Sequence, residues 1–243
     1  MKIYIKSAVF PISKEDYSLR REIALDPNTD SNTLIALADV SNDKLNGRYL
    51  LNSICNNPNA TMDTLLAIRE KYPSNSDIVD SYIARRTSNP DLLDELADTE
   101  GNLGLIYCIL INPNTSTNTL LKLYYKYRKQ ITDIALKLAK RYGISTEVID
   151  DLIEDSICGR CEDTYYVLLN VIVKPNITQE QIRKIFEFAL EKALEKPGSY
   201  YDICLFLAKS DTTPPDILER LSNEHPDENI RYYALANPNH PRH

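Results

Sequence analysis

Glycine and tryptophan are scarce in this chain of 243 residues, which has six glycines and no tryptophan. Tight turns and bulges favour glycine, so this composition favours a helical fold over a β-sandwich. Long hydrophobic runs are also missing, because the longest, at 103–111, is far shorter than the roughly 20 residues that a membrane span needs. The remaining composition, with 43% apolar and 26% charged residues, is that of a globular protein.

Targeting signals and a disulfide framework are absent from the sequence as well. The segment 1–12, MKIYIKSAVFPI, has lysines inside its apolar stretch and does not resemble a signal peptide. We expect it to be an extended N-terminal segment. The five cysteines are odd in number and irregularly spaced, which argues against disulfide pairing. These features predict a reducing, cytoplasmic environment and no membrane association.

The sequence also lacks the common catalytic motifs. It contains no phosphate-binding glycine loop, no G-x-S-x-G and no H-E-x-x-H. The pairs Asp150-Asp151 and Glu154-Asp155 fall in one helical segment, and we expect them to form its solvated face. We therefore predict that the chain is not an enzyme and uses no cofactor, metal or small-molecule substrate.

Two further features are candidates for metal or redox sites. The motif CGRC at 158–161 is able to ligate zinc or exchange thiols, but no second ligand pair lies near it in sequence, so a loop with two incidental cysteines is the competing interpretation. Cys55, Cys108 and Cys204 lie in apolar stretches and are expected in the core. The C-terminal HPRH contains two of the three histidines, and disorder is its default expectation.

The chain does contain a repeated sequence motif that is typical of the start of a helix. It reads LDPNTDSNTLIAL from Leu25, CNNPNATMDTLLAI from Cys55 and LINPNTSTNTLLKL from Leu110, and a shortened form, LANPNHP, begins at Leu235. Proline disfavours helical geometry in the residue before it, so each copy predicts a corner between two helices. We name each corner by its central residue, at intervals of 27 to 36 residues: Pro27, Pro58, Arg86, Pro113, Tyr142, Pro175, Asp211 and Pro238.

Each corner is followed by helix-capping and apolar residues at fixed offsets. Three positions on stand residues whose side chains accept hydrogen bonds from helix N-termini: Asp30, Thr61, Asn89, Ser116, Ser145 and Thr178. At corner 211 we expect Thr213 to cap and Pro214 to be the first helical residue. Seven and ten positions on stand apolar residues that share one helix face: Leu34 and Leu37, Leu65 and Ile68, Leu93 and Leu96, Leu120 and Leu123, Ile149 and Leu152, Ile182 and Ile185, and Leu218 and Leu221.

A second apolar helical segment precedes each corner, for example at 45–55, 77–86, 131–142, 164–173 and 200–209. One such helix pair cannot bury its apolar faces alone, so successive pairs must stack. The sequence thus predicts an all-α fold, an α-solenoid superhelix of about eight helix–corner–helix repeats. We expect one continuous helical domain over residues 13–241.

The C-terminal segment 207–241 resembles the leucine-rich repeat variant, a bacterial repeat whose units read roughly NPxTPxxxLxxLAxDxxxxVRxxVA. The residues that match are Thr213, Pro214, Leu218, Leu221, Ile230, Arg231, Ala234, Asn237 and Pro238, with Arg20, 56–60 and 112–115 in other repeats. The resemblance covers nearly the whole chain and is loosest at 130–200. It implies a right-handed helical solenoid with a binding surface, some short helices of 3-10 type, and no reaction. The units here are longer than the two dozen residues typical of that family, which brings them close to HEAT-like pairs, and the cysteine cluster that some members carry is missing before Cys55.

A basic stretch with interleaved tyrosines is the candidate binding patch. Its residues are Lys122, Tyr124, Tyr125, Lys126, Tyr127, Arg128, Lys129, Lys137, Lys140 and Arg141. Such a combination is able to follow a nucleic-acid backbone and stack on bases. The following segment, 147–163, is acidic, so the alternative is that neighbouring repeats pair oppositely charged faces. The tyrosines elsewhere, such as Tyr82, Tyr107 and Tyr166, fit either a core or a surface.

Two functions are consistent with these observations. The first is a non-catalytic scaffold or adaptor that binds another protein, in a bacterium or phage, which agrees with the repeat and with the net charge of −7. The second is a nucleic-acid-binding helical-repeat protein that uses the basic stretch 122–141. Steep salt dependence of binding would distinguish the second from the first.

Overall fold

A computed structural model describes residues 17–40, 46–99, 102–131 and 133–242 of the chain. Throughout these residues the regular structure is helical, with no β-strand. The predicted all-α class is therefore confirmed. The segment 1–12, predicted to be extended, lies outside the described residues.

Fifteen α-helices follow one another in the described ranges, and a 3-10 helix, Pro73–Asn75, separates the fourth from the fifth. The α-helices are α1 (Tyr17–Leu25), α2 (Ser31–Leu37), α3 (Asn46–Asn56), α4 (Met62–Lys71), α5 (Ser76–Arg86), α6 (Pro90–Ala97), α7 (Leu103–Ile111), α8 (Thr117–Tyr127), α9 (Ile134–Ala139), α10 (Thr146–Ile157), α11 (Thr164–Ile172), α12 (Gln179–Glu195), α13 (Tyr201–Lys209), α14 (Pro215–Glu224) and α15 (Glu228–Ala236).

The odd-numbered helices end at a corner and the even-numbered helices begin after one, so we call them first and second helices. The chain divides into two compact units, Met1–Ser116 and Thr117–His243. In the first unit α1, α3, α5 and α7 pack side by side in that order, and α2 packs against α4. In the second unit α9, α11, α13 and α15 do the same, and α10 packs against α12. A single continuous domain over 13–241 stays a prediction.

The apolar residues predicted seven and ten positions after each corner form the core of the second helices. All fourteen are buried, and Ile182, the most exposed of them, keeps only 5% of its side chain accessible. Burying a leucine or isoleucine side chain stabilises a fold by about 1.5–3 kcal/mol. The i, i+3 spacing alone was therefore sufficient to identify these buried faces.

The predicted caps at four corners are confirmed. Asp30 accepts a hydrogen bond from the Thr33 N–H at 2.9 Å, and Thr61 and Asn89 cap α4 and α6 in the same way. Thr178 forms a full capping box, in which the Gln181 side chain also accepts the Thr178 N–H at 2.9 Å. Each cap satisfies N–H groups that a helix leaves unpaired in its first turn.

Two predicted caps differ from the expectation. Ser145 stands at the start of α10, but its side chain makes no capping bond and instead lowers the pKa of Glu147 by hydrogen bonding to that carboxylate. At corner 211 the first helical residue is Pro215, and Pro214 is the extended residue before it, with φ −56° and ψ 142°. A residue that precedes proline avoids helical geometry, so Pro215 prevents Pro214 from entering the helix. Thr213 makes no cap.

The corners are joined to one another by asparagine side chains. Asn57, which is 3% exposed, donates from its carboxamide nitrogen to the carbonyls of Ala24 at 2.9 Å and Asp26 at 2.8 Å. Its carboxamide oxygen accepts the N–H of Asn59 at 2.9 Å. One side chain thus closes its own turn and pairs two carbonyls that the end of α1 leaves without an intrahelical partner. We call a donation of this kind an inter-corner bond.

The same arrangement recurs in both units. Asn112 donates to the carbonyls of Ala84 and Thr87, and Asn237 donates to those of Ala208 and Ser210, all at 2.7–3.0 Å. A cation replaces the carboxamide twice: Arg86 donates to the carbonyls of Cys55 and Ala60, and Lys174 donates to that of Arg141.

A second asparagine, two residues further on, adds a parallel set of inter-corner bonds. Asn59 donates to the carbonyls of Pro27 and Thr29, each at 2.9 Å. Asn176 donates to that of Ile144, and Asn239 to that of Asp211. The repeated NPN sequence is therefore explained by hydrogen bonding between successive corners as well as by the turn that it forms.

The loop after α12 contains the one described non-glycine residue with positive φ, Tyr200, at φ 55° and ψ 23°. Side chains other than glycine pay a steric cost in this left-handed region. The Tyr200 ring packs edge-on against Tyr165 and Phe188, with ring centroids 5.5 and 5.4 Å apart. These aromatic contacts hold the strained residue in place between α11, α12 and α13.

The inter-corner bonds lead to a stability prediction. Replacing Asn57 with alanine should lower the free energy of unfolding by about 3 kcal/mol, because three hydrogen bonds are lost and the buried Ala24 carbonyl and the Asn59 N–H lose their partner. Asn28→Ala is the matched control, since the Asn28 side chain is exposed and bonds only to Asp26 in its own turn. Its cost should stay below about 1 kcal/mol. Urea denaturation followed by circular dichroism measures both, and equal losses would contradict the assignment.

Candidate binding surfaces

The basic stretch 122–141 runs from α8 to the end of α9, and the fold separates its members. Tyr124 and Tyr127 are 0% and 5% exposed and belong to the core. Tyr125 is exposed and donates its hydroxyl hydrogen to Asp151 of α10. Arg128 stacks over the Tyr124 ring and forms an ion pair with Asp155 of α10 at 3.1 Å. Four of the five tyrosines and arginines of the stretch are thus engaged in contacts within the unit.

Asp155 is the buried centre of this contact, contrary to the expectation that it lies on a solvated face. It is 2% exposed and accepts hydrogen bonds from the Tyr124 hydroxyl and from Arg128. Arg160 forms a second ion pair with it at 3.0 Å. Burial, with the bond to Asp155, raises the pKa of Tyr124, so this tyrosine stays a hydrogen donor. A buried carboxylate requires such partners, because water no longer solvates it.

The lysines of the stretch remain at the surface. Lys126 and Lys129 are exposed, as is Lys140, and Lys137 is partly exposed. No ion pair is found for these four among the residues that the structure describes. The Lys126 ammonium lies 5.3 Å from the centre of the Tyr127 ring. Lys122 is exposed and Arg141 partly so, and Arg141 accepts the Lys174 bond through its carbonyl.

Ion pairs link successive second helices in the second unit. Lys184 of α12 lies 3.8 Å from Asp150 and 3.3 Å from Glu154 of α10. Arg183 pairs with Asp216 of α14 at 3.0 Å, and Arg220 of α14 pairs with Glu187 of α12. These contacts support the interpretation that neighbouring repeats pair oppositely charged faces. Exposed pairs of this kind contribute little stability individually.

The first helices differ, because they expose large apolar and aromatic side chains. In the described residues these include Leu25 of α1, Tyr49 of α3, Leu103, Tyr107 and Ile111 of α7, Tyr166 of α11, and Tyr232 and Tyr233 of α15. On the second helices the large apolar residues that are exposed in the described ranges are Tyr125 and Leu194. The exposed fractions reach 63% for Tyr49 and 67% for Tyr232. Tyrosine at such positions is typical of protein interfaces.

The first unit carries the most continuous surface of this type. Helix α7 has no charged residue, and Leu103, Tyr107 and Ile111 follow one another at i, i+4 and i+8 along one exposed face. On the preceding first helices, the Tyr82 hydroxyl accepts a hydrogen bond from Asn56 at 2.7 Å and donates to Asn52 at 3.2 Å. The exposed face of α7 is therefore uncharged, and Tyr82 beside it adds hydrogen-bonding groups, with the Arg86 guanidinium 5.7 Å from the centre of the Tyr82 ring.

The CGRC loop ends α10. Gly159 adopts φ 70°, and the Arg160 N–H bonds to the Asp155 carbonyl at 2.8 Å. Cys158 is exposed and Cys161 buried, and burial raises the pKa of the Cys161 thiol. The described residues contain no group of three potential metal ligands. Cys55, Cys108 and Cys204 are buried as expected, with the pKa of Cys55 and of Cys204 raised to about 12 by burial.

Two histidines lie in the described residues, His225 in the turn after α14 and His240 at corner 238. The order at His240 corrects the expectation of disorder for the HPRH segment as far as residue 242. His240 is 2% exposed, and its Nε2 lies 3.2 Å from the Ser222 hydroxyl. Its Nδ1 accepts the N–H of Arg242, as the Nδ1 of His225 accepts that of Asp227. A histidine before proline thus replaces the asparagine oxygen in closing the turn.

A groove of about 760 Å³ lies between corners 175 and 211, and the sequence analysis did not anticipate it. Its walls combine apolar residues, among them Ile182 and Phe206, with the corner segments 172–175 and 210–215. Thr213 is one of the residues that line this groove, it is 2% exposed, and its buried hydroxyl has no hydrogen-bond partner. The signal in the sequence is SDTTPP, in which Ser210 and Thr212 replace both asparagines of the repeat, as other residues also do at corners 86 and 142.

The chain finds no match in three comparisons, which covered protein-family models, curated proteins and solved structures. Among the described helices, none has the length and apolar character that crossing a bilayer requires.

The buried Asp155 leads to a second stability prediction. Asp155→Ala should lower the free energy of unfolding by about 3 kcal/mol, because the Tyr124 hydroxyl and two arginines lose their common acceptor. Asp151→Ala on the same helix is the matched control, and its partly exposed contact to Tyr125 should be worth less than about 1 kcal/mol. Chemical denaturation of both variants tests this. Similar values would show that burial of Asp155 has no energetic role.

A third prediction concerns pH. Burial lowers the pKa of His225 from the usual value of 6.5, so the folded chain keeps this histidine neutral to lower pH than the unfolded chain does. The unfolded chain therefore takes up a proton first, and stability falls as the pH drops from about 6.5. In His225→Asn, whose side-chain oxygen is able to accept the Asp227 N–H, this slope should be shallower by up to about 1.4 kcal/mol per pH unit. Melting curves between pH 5 and 8 measure it, and parallel curves for both proteins would contradict the assignment.

Proposed function

We propose that the protein is a non-catalytic scaffold that binds another protein through its first helices. The observation that carries this proposal is the distribution of side chains between the two helix sets. The second helices are engaged in ion pairs with one another, while the first helices expose tyrosine, leucine and isoleucine. Exposed apolar side chains that recur on successive helices are typical of interaction surfaces.

The architecture proposed with this function is an α-solenoid of the leucine-rich-repeat-variant type, with one helix pair per corner. Support comes from the recurrence of the NPN hydrogen bonds and from the side-by-side order of first helices within each unit. In such an arrangement each repeat contacts only its neighbours and presents an extended surface. A cytoplasmic location in a bacterium or phage remains part of the proposal, on the sequence evidence above.

The contacts of the basic stretch weaken the nucleic-acid alternative. A nucleic-acid surface would use the tyrosines for stacking and the arginines for phosphate contacts. Here Tyr124 and Tyr127 are buried, and Arg128 is paired with Asp155. The nucleic-acid alternative is still supported by the exposed lysines, which include Lys126 and Lys129.

A partner-capture experiment tests the proposal. The tagged protein is incubated with host lysate, with and without nuclease, beside two double variants: Tyr49→Ala with Tyr107→Ala on first helices, and Lys126→Ala with Lys129→Ala near α8. We expect a nuclease-resistant protein partner whose recovery falls at least about 10-fold in the tyrosine variant, as for loss of aromatic interface residues. The lysine variant should retain it.

The opposite pattern contradicts the proposal. Partners that disappear with nuclease, or that depend on Lys126 and Lys129 and are lost steeply with added salt, would establish nucleic-acid binding instead. All four substituted residues are exposed, so each variant should keep the circular dichroism spectrum and melting temperature of the parent chain.

A further inference from the structure

Within each unit, inter-corner bonds join successive corners with one exception. Corner 58 bonds to corner 27 through Asn57 and Asn59, and corner 238 bonds to corner 211 through Asn237 and Asn239. Arg86, Asn112 and Lys174 make the bonds between other corners. Between corners 175 and 211 no such bond occurs in the described residues, and the groove lies at this place.

The exception has a chemical cause in two side chains. Ser210 and Thr212 occupy the two positions that hold asparagine in corner 238. The Ser210 oxygen still accepts the Thr212 N–H, at 3.3 Å, and the two hydroxyls lie 2.8 Å apart and bond to each other. Serine thus keeps the turn-closing role of asparagine and loses its donor group. A carboxamide offers two donor hydrogens and a longer reach, whereas a hydroxyl offers one.

The residues whose carbonyl groups would receive these bonds line the groove. By position in the repeat, Ile172 and Lys174 correspond to Ala208 and Ser210, whose carbonyls both accept Asn237. Pro175 and Ile177 likewise correspond to Pro27 and Thr29, which accept Asn59. All four residues lie in the groove wall, and within the described chain no side chain donates to their carbonyls.

The Thr213 hydroxyl is a second, independent sign of an unfilled polar site. Its counterparts in two other corners donate to a carbonyl six residues earlier: Thr29 to Ile23 and Thr115 to Ile109. Thr213 makes no such bond, although it is 2% exposed and lines the groove. Buried polar groups are nearly always paired, so an unpaired hydroxyl on a residue of the groove wall points to a place for a ligand.

We propose that this groove binds an asparagine-bearing turn of a partner protein, whose carboxamides make the bonds to corner 175 that corner 211 cannot make. The volume of about 760 Å³ lies in the range of ligand pockets and accommodates a turn of three residues. A carboxylate in place of the carboxamide would face carbonyl oxygens without a hydrogen to donate. The groove is defined by the chain itself, and only the protein nature of the partner rests on the proposed function.

Peptide titration of the isotope-labelled full chain tests the inference. The probe is acetyl-Asn-Pro-Asn-amide, the sequence with which the chain itself makes these contacts, and the control is acetyl-Asp-Pro-Asp-amide, which has nearly the same shape without the donor groups. We expect the asparagine peptide to shift the amide signals of 172–174, 176–177 and 210–213, and the aspartate peptide to bind at least about 10-fold more weakly. No shift at these amides, or equal shifts with both peptides, overturns the inference.

A variant that fills the groove from within provides the complementary test. Ser210→Asn with Thr212→Asn restores the asparagines of the repeat and should abolish the peptide-induced shifts while raising the melting temperature by about 2–4 °C. Ser210→Ala with Thr212→Ala leaves the groove open and should keep peptide affinity within about threefold. Undiminished binding to the asparagine variant overturns the inference. A failed peptide titration leaves the tyrosine-dependent capture experiment unaffected, so the two proposals are separable.

Discussion

The pairing of helix-end carbonyls by a side chain from the next corner is the interaction on which the rest of this structure depends. A helix leaves its last carbonyls unpaired, and a corner buried between packed helices offers little water to solvate them. Asn57, Asn112 and Asn237 solve this with one carboxamide each, which donates to two carbonyls and closes its own turn. The apolar faces of the helices can then pack in register from one repeat to the next.

Because this pairing fixes the corners, the helices on either side are free to diverge in surface chemistry. The second helices place charged residues where the next second helix supplies an opposite charge, as Lys184 does toward α10. The first helices place tyrosines outward instead. The same backbone arrangement thus supports an ion-paired surface on the second helices and an apolar surface on the first helices. The binding function is proposed for the apolar surface of the first helices.

Much of the fold was predictable because its signals are local in sequence. The buried positions such as Leu34 and Ile68, and the caps at Asp30 and Thr178, depend on spacings of three to ten residues from one corner. The signal for the start of α14 at Pro215 is local too. A residue before proline avoids helical geometry, and with two prolines in succession this rule applies to Pro214 as well as to Thr213.

The candidate sites were harder to predict because they depend on distant partners. Asp155 stands among several acidic residues, and only contact with Tyr124 and Arg128, from another helix, separates its buried carboxylate from the exposed ones nearby. The terminal position of His240 suggested disorder, yet its ring packs beside Ser222 of α14. The groove at corner 211 lies where the asparagines of the repeat are replaced by Ser210 and Thr212. The loss of the inter-corner bonds becomes visible only when corners 175 and 211 are seen side by side in the fold.

The missing inter-corner bonds between corners 175 and 211 also affect the order in which the second unit unfolds. Asn237 and Asn239 join the end of α15 to the end of α13, and α14 packs against both, while α13 meets α11 and α12 through side-chain packing without a corner bond. Structures built from neighbour contacts lose cooperativity at their weakest junction. The ion pairs between α12 and α14 also cross this junction, but exposed pairs contribute little stability. We therefore expect α13–α15 to open before α9–α12 and their amides to exchange with solvent deuterium sooner.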